Sequence, residues 1–490
     1  MRLTRRECIA ALTSLGVAGC KISPAGRLVM PQPAPAATAS KKRTGGPEAP
    51  LQTFTPENFG AVGDGQTNDT DAFAMMAHAL NVAGGGTVIL QPTTYVVGAH
   101  VPDSSGTWAF APATILSFTG CSRGLTILGN GARLLCQDGL KYGTFDPATG
   151  LPTQHAMPFY GAAERSSPYV AMISVQNCTG AVYVENVELD GNLARLSKGG
   201  PYGDTGWQIP AFGIQLLNNS GGEHLVGLHS HHHGQDGVYL DGIPGKTALT
   251  KLENVVSEYN GRQGCSIVGG SSYSFVNCKF NHTGRGGLVS APGAGVDIEA
   301  ESNPIRDVNF SGCEFSNNSG AGMVADSGDS AGASFDNCLF IGTTTWSAWP
   351  AKPQFRFTGC RFVGSICHTY FDTNAALAAQ FSNCSFLDDP ALSPTGEVYG
   401  GFIADLGAGD TNVLFDGCNF ALSHAAMLPW SVSANYNNCT MSQIATGQAY
   451  PRGTWTGTDK IDGNVDLYSS KIVGQLTLNG QIVPPTNFAG

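Results

Sequence analysis

Phe275-Val276-Asn277-Cys278-Lys279-Phe280 is one copy of a pattern, aromatic-x-(Asn/Gly)-Cys-x-(Phe/Met), that recurs at Phe310–Phe315, Phe335–Phe340, Phe357–Phe362, Phe381–Phe386, Phe415–Phe420 and Tyr436–Met441. Its cysteines, Cys278, Cys313, Cys338, Cys360, Cys384, Cys418 and Cys439, are 35, 25, 22, 24, 34 and 21 residues apart. A fixed motif with insertions of variable length between copies marks a solenoid with one structural unit per repeat. Each unit is too short for a strand, a helix and two crossovers, and two-residue alternation fills it. Successive strands are therefore predicted to stack in parallel about 4.8 Å apart. Earlier copies keep the frame at Asn177-Cys178, Asn186-Val187 and Asn254-Val255. Valine interchanging with cysteine marks a small buried hydrophobe, so the cysteine column is expected to pack in a core rather than to bridge coils as disulfides. The predicted fold class is all-β, a right-handed parallel β-helix.

The composition of the 490 residues is consistent with this. Hydrophobic residues make up 42% and charged residues only 13%, which excludes a disordered chain and a coiled coil. Fourteen cysteines are too few for a disulfide scaffold, and no CxxC pair points to a zinc site. Eight of the 26 basic residues but only two of the 37 acids lie in the first fifty positions, so the remainder carries 18 bases against 35 acids, a net charge of −17. Such a body repels phosphate backbones and argues against nucleic acid as a partner.

Residues 1–20 read as a secretion signal, with Arg2, Arg5 and Arg6 ahead of a short apolar stretch from Cys8 to Val17. Thr4-Arg5-Arg6 resembles the start of a twin-arginine signal, with Cys8-Ile9 in place of the usual Phe-Leu. Val17-Ala18-Gly19-Cys20 resembles a bacterial lipobox. That resemblance implies lipidation of Cys20 and an exported, periplasmic or cell-surface protein whose only membrane contact is this lipid; Lys21 stands where an inner-membrane retention signal has aspartate. Residues 21–50, rich in Pro and Ala, read as a flexible tether, and residues 51–490 as a single β-helix domain. The sequence leaves the oligomeric state open.

Phe59-Gly60-Ala61-Val62-Gly63-Asp64-Gly65-Gln66-Thr67-Asn68-Asp69-Thr70-Asp71-Ala72, followed by Gly85-Gly86-Thr87-Val88-Ile89-Leu90 and Tyr95, resembles the opening of the pectate-lyase-like superfamily, which includes rhamnogalacturonase-like and epimerase-like β-helix proteins. Leu128-Gly129-Asn130-Gly131 and Leu189-Asp190-Gly191-Asn192 extend the resemblance over roughly residues 54–326. It implies a β-helix that acts on polysaccharides. In physical terms the opening supplies a glycine-rich turn, an Asn/Asp N-cap and a helix from about residue 71 to 82 that covers the open first coil, with its acidic residues in structural roles.

A second register aligns the glycines before short strands: Gly213, Gly237, Gly264, Gly295 and Gly322. Alternation then turns Ile214, Val238, Cys265, Val296 and Met323 inward and sets Gln215, Tyr239, Asp241, Ser266, Asp297, Glu299 and Asp326 on one outer sheet. Asp297 and Glu299, about 6.6 Å apart along a strand, read as an acid/base pair assisted by Asp241 and Asp326. Crowded carboxylates raise one another's pKa, and glycosidases need such a divided pair. A calcium site or a solvated acidic face is the alternative reading of the same residues; no cofactor is otherwise required.

Preceding turns align Gln235, Arg262 and Arg285, and also His232, Tyr259 and His282. Tyr239, His232, Arg262 and Arg285, with Gln215 and Ser266, are expected to hold the sugar and any anionic group on it. Asn260–Ser266 and Gly295–Glu299 resemble segments that recur in the superfamily, with Ala300 where proline is common. His229, His231, His232 and His233 read as a polar turn rather than a metal site. Trp346, Trp349 and Trp430 read as loop packing, with the lining of a sugar groove as the alternative. The expected function is cleavage of a polysaccharide, hydrolysis being favoured over elimination from a uronate because the outer column is rich in carboxylates. Asn-Thr-Asp, Gly-His-Gly and Asp-Pro-His are absent, so pectin is not indicated. The rival of another class is a non-catalytic glycan-binding or surface-structural β-helix.

Overall fold

The computed structural model describes residues 51–153, 163–200, 209–367, 369–400, 404–405, 411–423, 430–443, 448 and 450–488; the signal, the tether and Cys20 lie outside these residues. A single coil shows how the chain winds. Thr250–Glu253 enters a turn at Asn254, Val256–Glu258 follows, and a turn at 259–262 leads into the long strand Gln263–Val276. That strand bends at 269–272 and finishes with Tyr273–Val276 paired in parallel on Thr250–Glu253. Repetition of this path builds three parallel sheets. Sheet 1 runs through Leu116–Thr119, Ala171–Gln176, Phe212–Leu217, Asp236–Asp241, the start of Gln263–Val276, Val296–Ile298, Met323–Ala325 and Ala348–Pro350. Sheet 2 carries Thr250–Glu253 and its neighbours, and sheet 3 carries Val256–Glu258 and its neighbours. The chain is a right-handed parallel β-helix.

Both aromatic positions of the repeat form ladders inside the coils. Phe310, Phe335, Phe357 and Phe381 stack with ring centroids 4.8–4.9 Å apart and planes within 11°. Phe315, Phe340, Phe362 and Phe386 stack alike at 4.6–5.0 Å. The cysteines are free and buried as expected, and most point their Sγ at a carbonyl one coil back, as Cys360 does to Phe335 O at 3.1 Å.

The Asn/Gly position of the motif has a backbone cause. Asn277, Gly312, Asn337, Gly359, Asn383, Gly417 and Asn438 all have φ between 52° and 63°, the left-handed region that asparagine and glycine enter at least cost. Asn and Gly alternate strictly along this column for a steric reason: a Cβ on Gly312, Gly359 or Gly417 would lie 2.5–2.6 Å from the Oδ1 of the asparagine one coil back.

Helix α1, Thr70–Ala83, buries Phe73, Met76, Ala77 and Leu80 over the first coil, close to the predicted 71–82. Its N-cap, Asp69, does not cap by its side chain. The carboxylate instead accepts from Val62 N (2.7 Å) and Gly63 N (3.1 Å), while Asn68 Oδ1 takes Thr70 N; Asp64 similarly holds Gln66 and Thr67. Asp64 and Asp69 of this opening are thus turn-builders. At the far end Gln475–Leu478 pairs antiparallel with Gln481–Val483, and Lys471–Ile472 with Thr486–Asn487.

Candidate active site on sheet 1

Register places Gln215 beside Tyr239, Tyr239 beside Ser266, Ser266 beside Asp297, and Asp297 beside Val324. The outward column predicted from alternation therefore exists, but Gln215, Ser266 and Asp297 are buried rather than solvated. Beyond Asp297 the column turns apolar: Val324, Ala294 and Ala321 form a cluster against Trp349, and Trp349 meets Trp346 edge to face at 5.3 Å.

Beside Asp241 the column is interrupted. Leu240 pairs with Ile267 but Asp241 with Gly269, so the next coil bulges at Val268, and the Asp241 carboxylate, raised by burial, accepts from Ser302 Oγ. Glu299 is half-buried and accepts from Ser327 Oγ. Asp326, one coil further, shares with Glu299 and Asp329 a cation that alternation does not reveal, Lys352. Burial pulls the Lys352 ammonium down against these three acids, and its Nζ donates to Gly328 O at 2.7 Å.

At the centre lies a residue missing from the sequence-based set, Asp236. It is fully buried, and burial raises its carboxyl from 3.8 to about 6 despite Arg262 and the Ser266 hydroxyl, both of which favour the charged form. Ser266 Oγ donates to Asp236 Oδ2 at 2.8 Å, and Arg262 Nη1 lies 3.6 Å from the same oxygen. One coil above, Gln263 is in register with Asp236. Its Nε2 donates to Asp297 Oδ2 at 2.8 Å, and its Oε1 accepts from Ala294 N at 2.9 Å. Asp236 and Asp297 are thus approached from the coil between them. Burial opposes the charge of Arg262, but Asp236, Asp297, Glu301 and Glu299 outweigh it and hold the guanidinium charged. Tyr239, raised by burial and by Glu301, Asp241 and Asp236, borders the group and packs on Phe212 at 4.8 Å.

Three buried polar atoms here, Gln235 Oε1, Asp236 Oδ1 and Arg262 Nε, make no hydrogen bond. Buried polar groups are normally paired, so these atoms stand out in the interior behind the column.

Two expected members are elsewhere. Arg285 bonds to Asn317 O, Asn318 O, Thr343 Oγ1 and Thr344 Oγ1, because residues 286–294 are inserted between it and Gly295 whereas Arg262 stands directly before Gln263-Gly264. His232 belongs to a stack with Tyr259 (5.1 Å) and His282 (4.7 Å from Tyr259) at the corner between sheets 3 and 1. Its charged neighbours are Asp190, Glu258, His229 and Arg133 on the sheet 3 side. Nor do His229, His231 and His233 share a face as alternation suggests. His233 is buried in the core, bonded to Tyr169 Oη at 2.9 Å and pulled down to about 3 by burial, because His232 at φ 54° reverses the side-chain alternation.

Among the described residues, metal-capable atoms converge within 4.8 Å in two sets, Glu188–His229–His231 and Asp190–His231–His232. Neither contains a sheet 1 carboxylate.

No family model matches the chain, and no curated protein matches it. Among solved structures it is similar to the A-module of mannuronan C-5 epimerase AlgE6 of Azotobacter vinelandii, at 16% identity over 88% of this chain and all of that one, with a TM-score of 0.42. It is also similar to the Agl-KA catalytic domain (13% identity, 88% and 69% covered, TM-score 0.47) and to a hyperthermoactive exopolygalacturonase from Thermotoga maritima (12% identity, 90% and 94% covered, TM-score 0.37). The likeness is one of fold.

Proposed function

We propose that the protein cleaves glycosidic bonds of a polysaccharide by acid/base catalysis on sheet 1, with Asp236 as proton donor and Asp297 as its carboxylate partner. The observation that carries this reading is Asp236 itself: a buried carboxyl raised to about 6, two coils from a second carboxylate, Asp297, which Gln263 of the intervening coil holds. Glycosidases need one carboxyl that holds its proton and one that does not. Asp236 gives its proton to the departing glycosidic oxygen while Asp297 activates water or attacks the anomeric carbon. Arg262 and Ser266 orient Asp236, and Tyr239 borders the sugar. Glu299, the acid first paired with Asp297 on alternation, becomes an outer carboxylate near Lys352.

A neutral sugar fits better than a uronate. Elimination from a uronate requires free positive charge to neutralise the substrate's carboxylate, and Arg262 already faces four acids of this chain. The test is digestion of neutral, uronate-rich and bacterial exopolysaccharides, reading reducing ends and ultraviolet absorbance of new C=C bonds together. Reducing ends alone support hydrolysis. Both signals together overturn it in favour of a lyase whose base is Lys352. No signal over a broad panel favours a binding protein. With an active substrate in hand, Asp236→Asn and Asp297→Asn are each expected to lower turnover at least about a hundredfold.

The export signal and lipid anchor at Cys20 complete the proposal: the chain acts outside the cytoplasm, tethered by residues 21–50 with its β-helix free to meet the polymer.

A further inference from the structure

On the outer face of sheet 3, register sets Glu188 beside His229 and Asp190 beside His231. These four side chains form a square, about 4.8 Å between coils and about 6.6 Å along the strands. Its edges are short. His231 Nε2 lies 3.1 Å from Glu188 Oε1, and His231 Nδ1 lies 3.6 Å from Asp190 Oδ1 and 2.7 Å from His232 Nδ1. Rings of His229 and His231 are 4.2 Å apart. His231 is buried, whereas the side chains of His229 and Glu188 are 40% and 35% exposed, so the group opens to solvent on one side.

We infer that Glu188, His229 and His231 form a binding site for a divalent transition-metal ion of the zinc type. A tetrahedron built on bonds of about 2.0–2.1 Å has edges of roughly 3.3 Å, and the His231–Glu188 edge already has that length. Imidazole with carboxylate suits zinc, nickel or copper rather than calcium or magnesium. The remaining nitrogens are also provided for: Nδ1 of His231 meets Nδ1 of His232 at 2.7 Å with Asp190 Oδ1 at 3.6 Å, and Glu258 Oε1 holds Nε2 of His229 at 3.0 Å. Carboxylates on the far side of ligating imidazoles fix ring orientation and raise ligand basicity. Arg133, whose Nε lies 3.1 Å from Glu188 Oε1 and which also pairs with Asp190, neutralises the two acids when no ion is bound; an entering ion takes over that role at Glu188. The sequence conceals the site because its carboxylates stand some forty residues upstream of the histidine run.

Calorimetry on tag-free, chelator-stripped full chain titrated with Zn2+ is expected to give one ion per chain. His229→Ala and Glu188→Gln, both at half-exposed positions, are expected to weaken it at least tenfold with an unchanged denaturation midpoint in the absence of metal. Zn2+ binding that survives both substitutions overturns the site, as does an absence of binding by the unsubstituted chain. Equal affinity for Ca2+ overturns the metal class. Because the site lies on sheet 3, loss of Zn2+ binding leaves the sheet 1 reading untouched.

Discussion

Asp236 illustrates what a single burial decision does to a carboxyl group. Its ordinary pKa of 3.8 is raised to about 6 in the fold because burial penalises the charged form. The folded value lies above the unfolded one, so its contribution to stability is complete below about pH 4 and is lost as pH rises through 6. A shift of two units corresponds to about 3 kcal/mol. Asp236→Asn cannot ionise, so the variant is expected to gain stability relative to the unsubstituted protein between pH 4 and pH 7. Denaturant midpoints of the two proteins measured across that range check this; parallel curves would mean that Asp236 is not desolvated. The residue was invisible to alternation for a definite reason. Counting back by twos from the inward Val238 points Asp236 into the core, but the corner at Gly237, whose own Cβ position meets Ser257 and Asn260, breaks the period. What could have revealed it is the column just before the aligned glycines, Phe212, Asp236, Gln263, Ala294 and Ala321, which is polar in two adjacent coils only.

At the scale of the element, the β-helix was legible because one turn per coil demands a left-handed backbone, and Asn and Gly record that demand in the sequence at every copy. The same geometry made Tyr239, Ser266 and Asp297 legible as one column. It failed for Asp241, where a bulge breaks register, and for Arg285, where an insertion separates turn from strand. Neither leaves a periodic mark. The Asn/Gly turn also makes a quantitative prediction. Gly359→Ala forces a side chain into φ 62° and brings its Cβ to 2.5 Å from Asn337 Oδ1. Left-handed strain of about 1–2 kcal/mol adds to that overlap, for an expected loss of about 2–3 kcal/mol in urea denaturation. Asn337→Gly keeps the backbone and removes the overlapping atom, so the double variant is expected to lose less than Gly359→Ala alone. Strict additivity of the two would refute the contact.

Over the whole molecule, a stack of parallel strands has two open ends, and each is a template for pairing with another chain. This protein closes the first with helix α1 and the last with the antiparallel pairs formed by 471–487. The two closures differ in packing. Helix α1 buries Phe73, Met76 and Leu80 completely, whereas an open groove lies at the C-terminal closure, lined in part by Leu467, Leu478, Val483 and Phe488. Coils of a solenoid contact only their neighbours, so damage at one end should not travel to Asp236 and Asp297, more than a hundred residues away. Deleting residues 474–490 leaves Thr458–Asp462 without its partner Gln475–Leu478 and uncovers an edge strand. The shortened chain is expected to self-associate in light scattering while retaining the turnover of the full chain on whichever polysaccharide is cleaved. A monomer at all concentrations would show that the hairpin is not needed to shield the end, and lost turnover in a still-folded monomer would show that the ends of this β-helix are coupled to its middle.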